Sequence, residues 1–178
     1  GQTAHTYRYE AGGAAVLGSI QPQPLVFEPD GTLDLDTVAE FIKPDDFHFA
    51  KTRLFCLENT QNGKVLPMDY LEQAAGFARK KGLQFHLDGA RIYNAAVKLG
   101  VDVTAITRHF DTVSCCLSKG LGAPVGSVLA GRQFQTGLVD VAVERRVLDD
   151  AVIGRKLVGG ILAVQLNLLV LGNQHQLG

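Results

Sequence analysis

The sequence predicts an α/β fold built on a mostly parallel sheet. Short apolar runs that suit buried strands alternate along the chain with segments that have the periodicity of helices. This alternation is typical of parallel sheets, because each parallel connection needs a crossover that is usually helical. Functional side chains in such folds lie where the strands end at their carboxyl edge.

Four apolar segments predict the strands of this sheet. Each segment is short and is bounded by polar residues or glycine, which is typical of a strand buried within a sheet. The four segments cover residues 52–58, 83–87, 112–117 and 125–130. We expect polar residues that follow these segments to meet at one edge of the sheet.

Four further segments predict helices, at residues 33–42, 69–81, 90–99 and 103–109. An acidic residue, Asp34 or Asp36, opens the first helix, and Pro44 stops it. Gly82 and Gly100 follow the second and third helices, at the position where a left-handed residue commonly ends a helix. These helices alternate with the strands and complete the predicted α/β pattern.

Length and charge fit one soluble domain. A chain of 178 residues is long enough for one hydrophobic core. Its 17 basic and 18 acidic side chains nearly balance, so the charge supports neither a nucleic-acid partner nor a membrane partner. The apolar stretch 157–171 is interrupted by polar residues and glycines, and it is shorter than the roughly 20 residues that cross a bilayer.

The cysteines and the N-terminus indicate a cytoplasmic protein. The three cysteines have no metal-ligand spacing, and two of them are adjacent in an apolar run, which favours a reduced chain. The first ten residues, GQTAHTYRYE, contain no basic segment that leads into an apolar core. We therefore expect no signal peptide.

An aspartate and a lysine follow two of the predicted strands. Asp88 comes directly after 83–87, and Lys119 follows 112–117 in the glycine-rich stretch CCLSKGLGAPVG. Pyridoxal phosphate needs a lysine amine to form a Schiff base and an acidic partner for its pyridine nitrogen. Asp88 and Lys119 are the residue types that such a site requires.

Each candidate residue also has a purely structural interpretation. A lysine in a glycine-rich loop is usually solvated, and Asp88 could cap a helix that begins at Ala90. His48 could be a polar residue at a strand edge, and Tyr9 could pack in the core. The residue pattern by itself leaves these alternatives open.

Four motifs in order along the chain resemble a known family. They are HTYRYEAGGAAVLGSIQPQPL at 5–25, CLENTQNGKVLP at 56–67, FHLDGARIYNA at 85–95 and CLSKGLGAPVGS at 116–127. Together they resemble the low-specificity L-threonine aldolases. The resemblance implies the three-layer α/β/α large domain of fold-type-I pyridoxal-phosphate enzymes. Residues 1–131 are the part of this domain that matches the family, and 132–178 are its divergent helical tail.

The resemblance assigns the residues that bind pyridoxal 5'-phosphate. Lys119 corresponds to the Schiff-base lysine, and Asp88 to the partner of the pyridine nitrogen. Arg91 corresponds to an arginine that hydrogen-bonds a substituent of the cofactor ring, and His5 to a histidine that stacks on that ring.

The resemblance also implies a reaction and a substrate side of the site. The reaction is retro-aldol cleavage of L-threonine or L-allo-threonine to glycine and an aldehyde. Tyr9 and His48 correspond to residues near the substrate. His5 or His48 is the expected catalytic base, because imidazole titrates near neutral pH. The only other expected partner is a second copy of the chain, in a dimer or tetramer.

Two alternatives to a threonine aldolase remain at this point. Another fold-type-I pyridoxal-phosphate enzyme, such as a β-eliminating lyase or a transaminase, could use the same Asp88 and Lys119. A truncated, non-catalytic large domain is the other alternative, because family members carry further phosphate-binding and carboxylate-binding segments. Gln61 stands where the family usually has a histidine, and Lys156 is the expected counterpart of a basic residue in the tail.

Overall fold

The computed structural model describes residues 1–131 and arranges four strands in one sheet. The strands are β1 (Leu54–Glu58), β2 (Gln84–Asp88), β3 (Thr112–Cys116) and β4 (Ser127–Gly131). They lie in chain order; β1, β2 and β3 are parallel, and β4 runs antiparallel to β3. The mostly parallel α/β sheet is confirmed. The predicted tail 132–178, with Lys156, lies outside the described residues.

Six α-helices and one 3-10 turn accompany the sheet in the described part of the chain. They are α1 (His5–Arg8), the 3-10 turn (Glu10–Gly12), α2 (Gly13–Gly18), α3 (Leu35–Phe41), α4 (Met68–Lys80), α5 (Ile92–Leu99) and α6 (Val103–Thr107). The four predicted helices are confirmed as α3 to α6. The elements before α3 were not predicted, because they are too short to show an amphipathic repeat. Within residues 1–131, no helix has the length and apolarity needed to cross a membrane.

The start of α3 shows how the sequence sets a helix boundary. The side chain of Asp34 accepts hydrogen bonds from the backbone N–H groups of Asp36 and Thr37, over 3.4 and 3.1 Å. These groups have no partner within the helix, so the aspartate satisfies donors that the first turn leaves open. Asp34 is therefore the cap, and Asp36 lies in the first turn.

Alternation along the strands gives the sheet one apolar and one polar face. The apolar face contributes Phe55, Leu57, Phe85, Leu87 and Val113 to the same core cluster as the buried residues of α4 and α5. The intervening residues are mostly polar, and the register pairs them as Cys56 with His86 and Thr112, and Glu58 with Asp88 and Ser114. The last of these rows lies at the carboxyl ends of the strands.

Gly89 allows the chain to turn closely against the sheet after β2. A Cβ atom at this position would lie 2.8 Å from the carbonyl oxygen of Ser114 and 3.1 Å from Cγ1 of Val113. The backbone N–H of Gly89 also donates to that Ser114 carbonyl, over 2.8 Å. The hydrogen bond holds the turn so close to Ser114 that only glycine fits at this position.

We predict that Gly89→Ala lowers the free energy of unfolding by about 1–3 kcal/mol, the usual cost of overpacking. Urea unfolding would measure it. Gly76→Ala is the matched control, because Gly76 lies within α4 and an added Cβ there meets nothing within 4 Å. The control should be neutral or stabilising by up to about 1 kcal/mol. Equal stability of the two variants would show that the turn has room for a side chain.

Candidate active site

A cavity of about 200 Å³ opens at the carboxyl ends of β1 and β2. Four of the predicted site residues line it, namely His5, Asp88, Arg91 and Lys119. The remaining lining residues are Glu58, Asn59, Thr60 and Ala90. Residues far apart in sequence therefore meet where parallel α/β sheets commonly bind ligands.

Asp88 is the last residue of β2 and is buried at the base of this cavity. Its Oδ1 accepts a hydrogen bond from the N–H of Ala90, over 3.1 Å. Burial raises the pKa of the Asp88 carboxyl, while the Ala90 hydrogen bond and the positive charge of Lys119 oppose that rise. Helix α5 begins only at Ile92 and has no side-chain cap, so the interpretation of Asp88 as its cap is wrong.

Lys119 lies in the turn that follows β3. The residue is exposed and also lines the cavity, so it is both solvated and within the site. The next residue, Gly120, lies close to α5, since a Cβ there would be 2.5 Å from Oδ1 of Asn94. The glycine after the lysine therefore lets the loop pack against the helix that follows Asp88.

His5 reaches the cavity from the N-terminal segment and not from the sheet. Its backbone N–H donates to Oε2 of Glu58, over 2.9 Å. The buried Gln61 also binds this segment, because its Nε2 donates to Oγ1 of Thr3 over 3.2 Å. Two side chains from the end of β1 and the following loop thus hold the segment that carries the histidine.

Arg91 and Tyr9 occupy the margins of the site. Arg91 lines the cavity and immediately precedes α5. Tyr9 is 55% exposed and is not among the residues that line the cavity; its ring centroid lies 5.0 Å from that of His5. Tyr9 therefore lies beside a residue that lines the cavity. The interpretation that it packs in the core is wrong because the side chain is exposed.

His48 lies outside this cavity. It belongs to the loop between α3 and β1, where its Nδ1 is 2.8 Å from Oδ1 of Asp46. Its ring lies against the exposed ring of Phe47, with 3.8 Å between the centroids. The cavity-lining residues do not include His48. The substrate role of His48 therefore stays a prediction.

Glu58 is a site residue that the sequence interpretation missed. It ends β1, pairs in register with Asp88, and lines the same cavity. Burial raises the pKa of Glu58, the hydrogen bond from the His5 N–H opposes this, and the neighbouring Asp88 charge adds to the rise. The rule that selected Asp88, a carboxylate at the end of a predicted strand, would also have selected Glu58.

Asn59 is a second missed residue, and it is completely buried. Its backbone N–H donates to the carbonyl of Asp88 over 2.9 Å, and its Oδ1 accepts from the N–H of Leu66 over 3.3 Å. Its Nδ2 has no hydrogen-bond partner among residues 1–131. Asn59 thus ties the ends of β1 and β2 together beside the cavity. No sequence pattern distinguishes it from an ordinary loop asparagine.

We predict that Asp88→Asn stabilises the ligand-free chain, and does so increasingly as the pH rises above about 4. The pKa of Asp88 is higher in the folded state than its unfolded value of about 3.9. At a pH between these two pKa values, the native state therefore binds more protons than the unfolded state. Ionisation above that window therefore costs stability, and asparagine does not ionise.

Urea unfolding of parent and variant between pH 4 and neutrality would test this. The raised pKa of Glu58 acts in the same direction in both proteins. Because the Asp88 charge is one cause of that rise, the difference between parent and variant reports Asp88 together with its effect on Glu58. A variant that is less stable than the parent at neutral pH would contradict the prediction.

Known proteins resemble this chain in sequence and in fold. The low-specificity L-threonine aldolase of Escherichia coli K12 is 60% identical over 133 residues, which are 75% of this chain and 40% of that enzyme. Low-specificity L-threonine aldolase 1 of Arabidopsis thaliana is 37% identical over 183 residues, covering 99% of this chain and 51% of the relative. The chain thus spans between 40% and 51% of the length of these relatives.

A solved structure supports the same relationship. A Listeria monocytogenes protein provisionally assigned as an L-allo-threonine aldolase superposes with a TM-score of 0.60 and 25% identity, over 73% of this chain and 35% of that protein. The predicted fold class and the resemblance to threonine aldolases are confirmed. The sequence model of the beta-eliminating lyase family matches residues 1–176, and the chain therefore belongs to that family.

Proposed function

We propose that the chain carries the lysine and aspartate of a pyridoxal-phosphate-dependent lyase that cleaves L-threonine and L-allo-threonine to glycine and an aldehyde. The observation that supports this most strongly is that Asp88 and Lys119 line one cavity together with His5. The names of the E. coli and Arabidopsis relatives support threonine as the substrate class. The name of the Listeria protein supports L-allo-threonine.

The donor set of the cavity fits pyridoxal phosphate. Asp88 is a buried carboxyl with a raised pKa, and such a group is best ionised beside a cation such as a protonated pyridine nitrogen. The Lys119 amine lines the same cavity. Lys119 would hold the cofactor aldehyde carbon, Asp88 the ring nitrogen, Arg91 a ring substituent and His5 the ring face. Bound pyridoxal phosphate supplies an electron sink for the charge left at Cα.

Asp88 is suited to its role by its fixed position. The N–H of Ala90 holds one carboxylate oxygen, and the strand backbone holds the rest of the residue. A carboxylate kept in a low-dielectric site attracts a positive partner more strongly than one in water does. Asp88 would therefore keep a proton on the nitrogen that faces it.

His5 is our candidate for the base that takes the proton of the substrate hydroxyl, directly or through a water molecule. It lines the cavity and is an imidazole, a group that transfers protons near neutral pH. His48 was an equal candidate from sequence, but its side chain is exposed in the loop after α3 and binds Asp46. The position of His5 beside Asp88 and Lys119 therefore favours His5.

A second candidate function is β-elimination on an amino-acid substrate. The family model that matches residues 1–176 is that of the beta-eliminating lyases. Asp88 and Lys119 would serve elimination or amino-group transfer equally well, because both reactions use the same electron sink. These reactions share the cofactor, so they are distinguished by the product that forms.

Assembly and location belong to the same proposal. The family resemblance supports a homo-oligomer, either a dimer or a tetramer. All three cysteines, Cys56, Cys115 and Cys116, are free thiols, which supports a reducing, cytoplasmic location.

We expect pyridoxal phosphate to give a visible absorption band when it is mixed with the parent chain. We predict that Lys119→Ala abolishes this band. The band depends on the Lys119 amine, which alanine lacks. Lys98→Ala is the matched control, because Lys98 is an exposed lysine on α5 away from the cavity-lining residues. A band that survives in the Lys119 variant, or that disappears in the Lys98 variant, would contradict the assignment.

We predict that the cofactor-loaded chain releases acetaldehyde and glycine from L-threonine and from L-allo-threonine. A coupled alcohol dehydrogenase assay would measure the aldehyde, and chromatography would measure the glycine. Formation of a keto acid or ammonia without aldehyde would refute the aldolase assignment in favour of transfer or elimination. An unreactive chain that still binds the cofactor through Lys119 would indicate a non-catalytic domain.

A further inference from the structure

The backbone N–H of His5 is bound by a side chain of the sheet. This N–H lies at the start of α1, where a helix leaves its first N–H groups without a partner inside the helix. The preceding residue, Ala4, makes no side-chain capping bond. Oε2 of Glu58 accepts the N–H instead, over 2.9 Å, from a position 53 residues further along the chain. A carboxylate of β1 therefore supplies the acceptor that the local sequence lacks.

The His5 ring itself lies against residues of its own segment. Its centroid is 5.0 Å from that of Tyr9, and its Nε2 is 2.7 Å from Oε1 of Glu10. Glu10 and Ala11 have φ angles of 62° and 52°, in the left-handed region that residues other than glycine seldom adopt. Contacts within one segment shape that segment but do not attach it to the sheet. The hydrogen bond to Glu58 is what joins the His5 backbone to β1.

The residues before His5 are attached separately. The backbone N–H of Gln2 donates to the carbonyl of Leu25 over 2.7 Å, and the side chain of Gln61 donates to that of Thr3 over 3.2 Å. Neither bond involves His5 or Glu58. We therefore expect loss of the Glu58 carboxylate to release His5 while the start of the segment stays in place.

Strand pairing places this attachment beside Asp88. Glu58 ends β1 and pairs in register with Asp88, which ends β2. Neighbouring strands lie about 4.8 Å apart, so the carboxylate that binds the His5 backbone is one strand away from the Asp88 carboxyl. Glu58, Asp88 and His5 all line the same cavity. The register of the sheet thus determines where the histidine segment meets the site.

The bond from His5 favours the ionised form of Glu58. Burial raises the pKa of the Glu58 carboxyl, and the hydrogen bond from the His5 N–H opposes that rise. Hydrogen bonds to an ionised acceptor are roughly twice as strong as neutral ones. A neutral acceptor in place of Glu58 should therefore hold His5 more weakly than the carboxylate does.

We propose that Glu58 is a positioning residue for His5: by accepting the His5 backbone N–H, its carboxylate keeps the imidazole at the cavity, one strand away from Asp88. The structural part of the proposal stands on a hydrogen bond within the chain. Its catalytic consequence rests on the proposed function, in which His5 lies on the ring face of the cofactor and takes the proton of the substrate hydroxyl. In this role Glu58 acts through His5.

Amide hydrogen exchange tests the hydrogen bond without cofactor or substrate. A chain labelled with ¹⁵N-histidine gives backbone signals from its five histidines alone. The signals of His5 and of His86, a buried residue of β2, are identified by their loss in His5→Asn and His86→Asn. We expect the His5 amide of the parent to exchange more slowly than that of an unstructured peptide. Exchange at the rate of an unstructured peptide would overturn the proposal.

Variants of Glu58 test the cause. Glu58→Ala should raise the exchange rate of the His5 amide by about 10- to 100-fold, the range expected when a hydrogen bond to a charged group is lost. Glu58→Gln keeps an uncharged oxygen acceptor and should give an intermediate rate. Glu40→Ala is the matched control, because Glu40 is an exposed glutamate on α3. Unchanged protection of His5 in a Glu58→Ala chain that also keeps the protection of His86 would refute the role of Glu58.

Kinetics with the cofactor-loaded chain test the consequence. We expect Glu58→Ala to lower kcat for threonine cleavage by about 10- to 100-fold, the order of loss that a displaced catalytic group produces, with little change in KM. Glu58→Gln should restore part of that loss. Lost amide protection with an unchanged kcat would show that Glu58 holds His5 but that His5 is not the base. The exchange result therefore separates a failure of this proposal from a failure of the proposed function.

A double variant shows whether Glu58 acts through His5. Residues that act as a unit have effects that do not add, so Glu58→Ala should lower kcat little further in a chain that already carries His5→Asn. A full additional loss in the double variant would contradict the positioning role, because Glu58 would then affect the reaction independently of His5.

Discussion

The parallel register of β1, β2 and β3 is the constraint on which the candidate site depends. It places Glu58 beside Asp88, and Asp88 beside Ser114, at the carboxyl ends of the three strands. Side chains alternate between the two faces of a sheet, so a slip of one residue would move Asp88 to the apolar face and would put Leu87 in its place. Burial of Leu87 and its neighbours against α4 and α5 therefore fixes the position of the polar row as well.

The same packing explains how Lys119 comes to line one cavity with a carboxylate from another strand. Gly89 turns the chain tightly after β2 and leads it into α5, and Gly120 lets the loop after β3 approach Asn94 on that helix. The lysine loop is thus held against the element that follows Asp88. A charge brought near a buried carboxyl offsets part of the cost of its desolvation, and Lys119 has this effect on the pKa of Asp88.

The histidine of the site comes from a different part of the molecule. The segment that carries His5 lies against the end of β1, where Glu58 binds its backbone and Gln61 binds Thr3. Glu58 therefore belongs both to the sheet and to the attachment of this segment. Glu10 adds a contact to the imidazole itself. The candidate site is consequently built from a sheet edge and a segment that side chains hold in place.

By itself, the sequence determined the mostly parallel sheet and the placing of Asp88 and Lys119 at strand ends, because these follow from local periodicity and from glycine positions. The motifs supplied the family and the expectation that His5 belongs to the site. Only the tertiary structure placed Glu58 beside Asp88 and brought Glu10 to His5, and it left His48 outside the cavity. Those outcomes depend on the strand register, on residues with left-handed backbone conformation and on the conformation of one loop. None of these follows from a periodic pattern in the sequence.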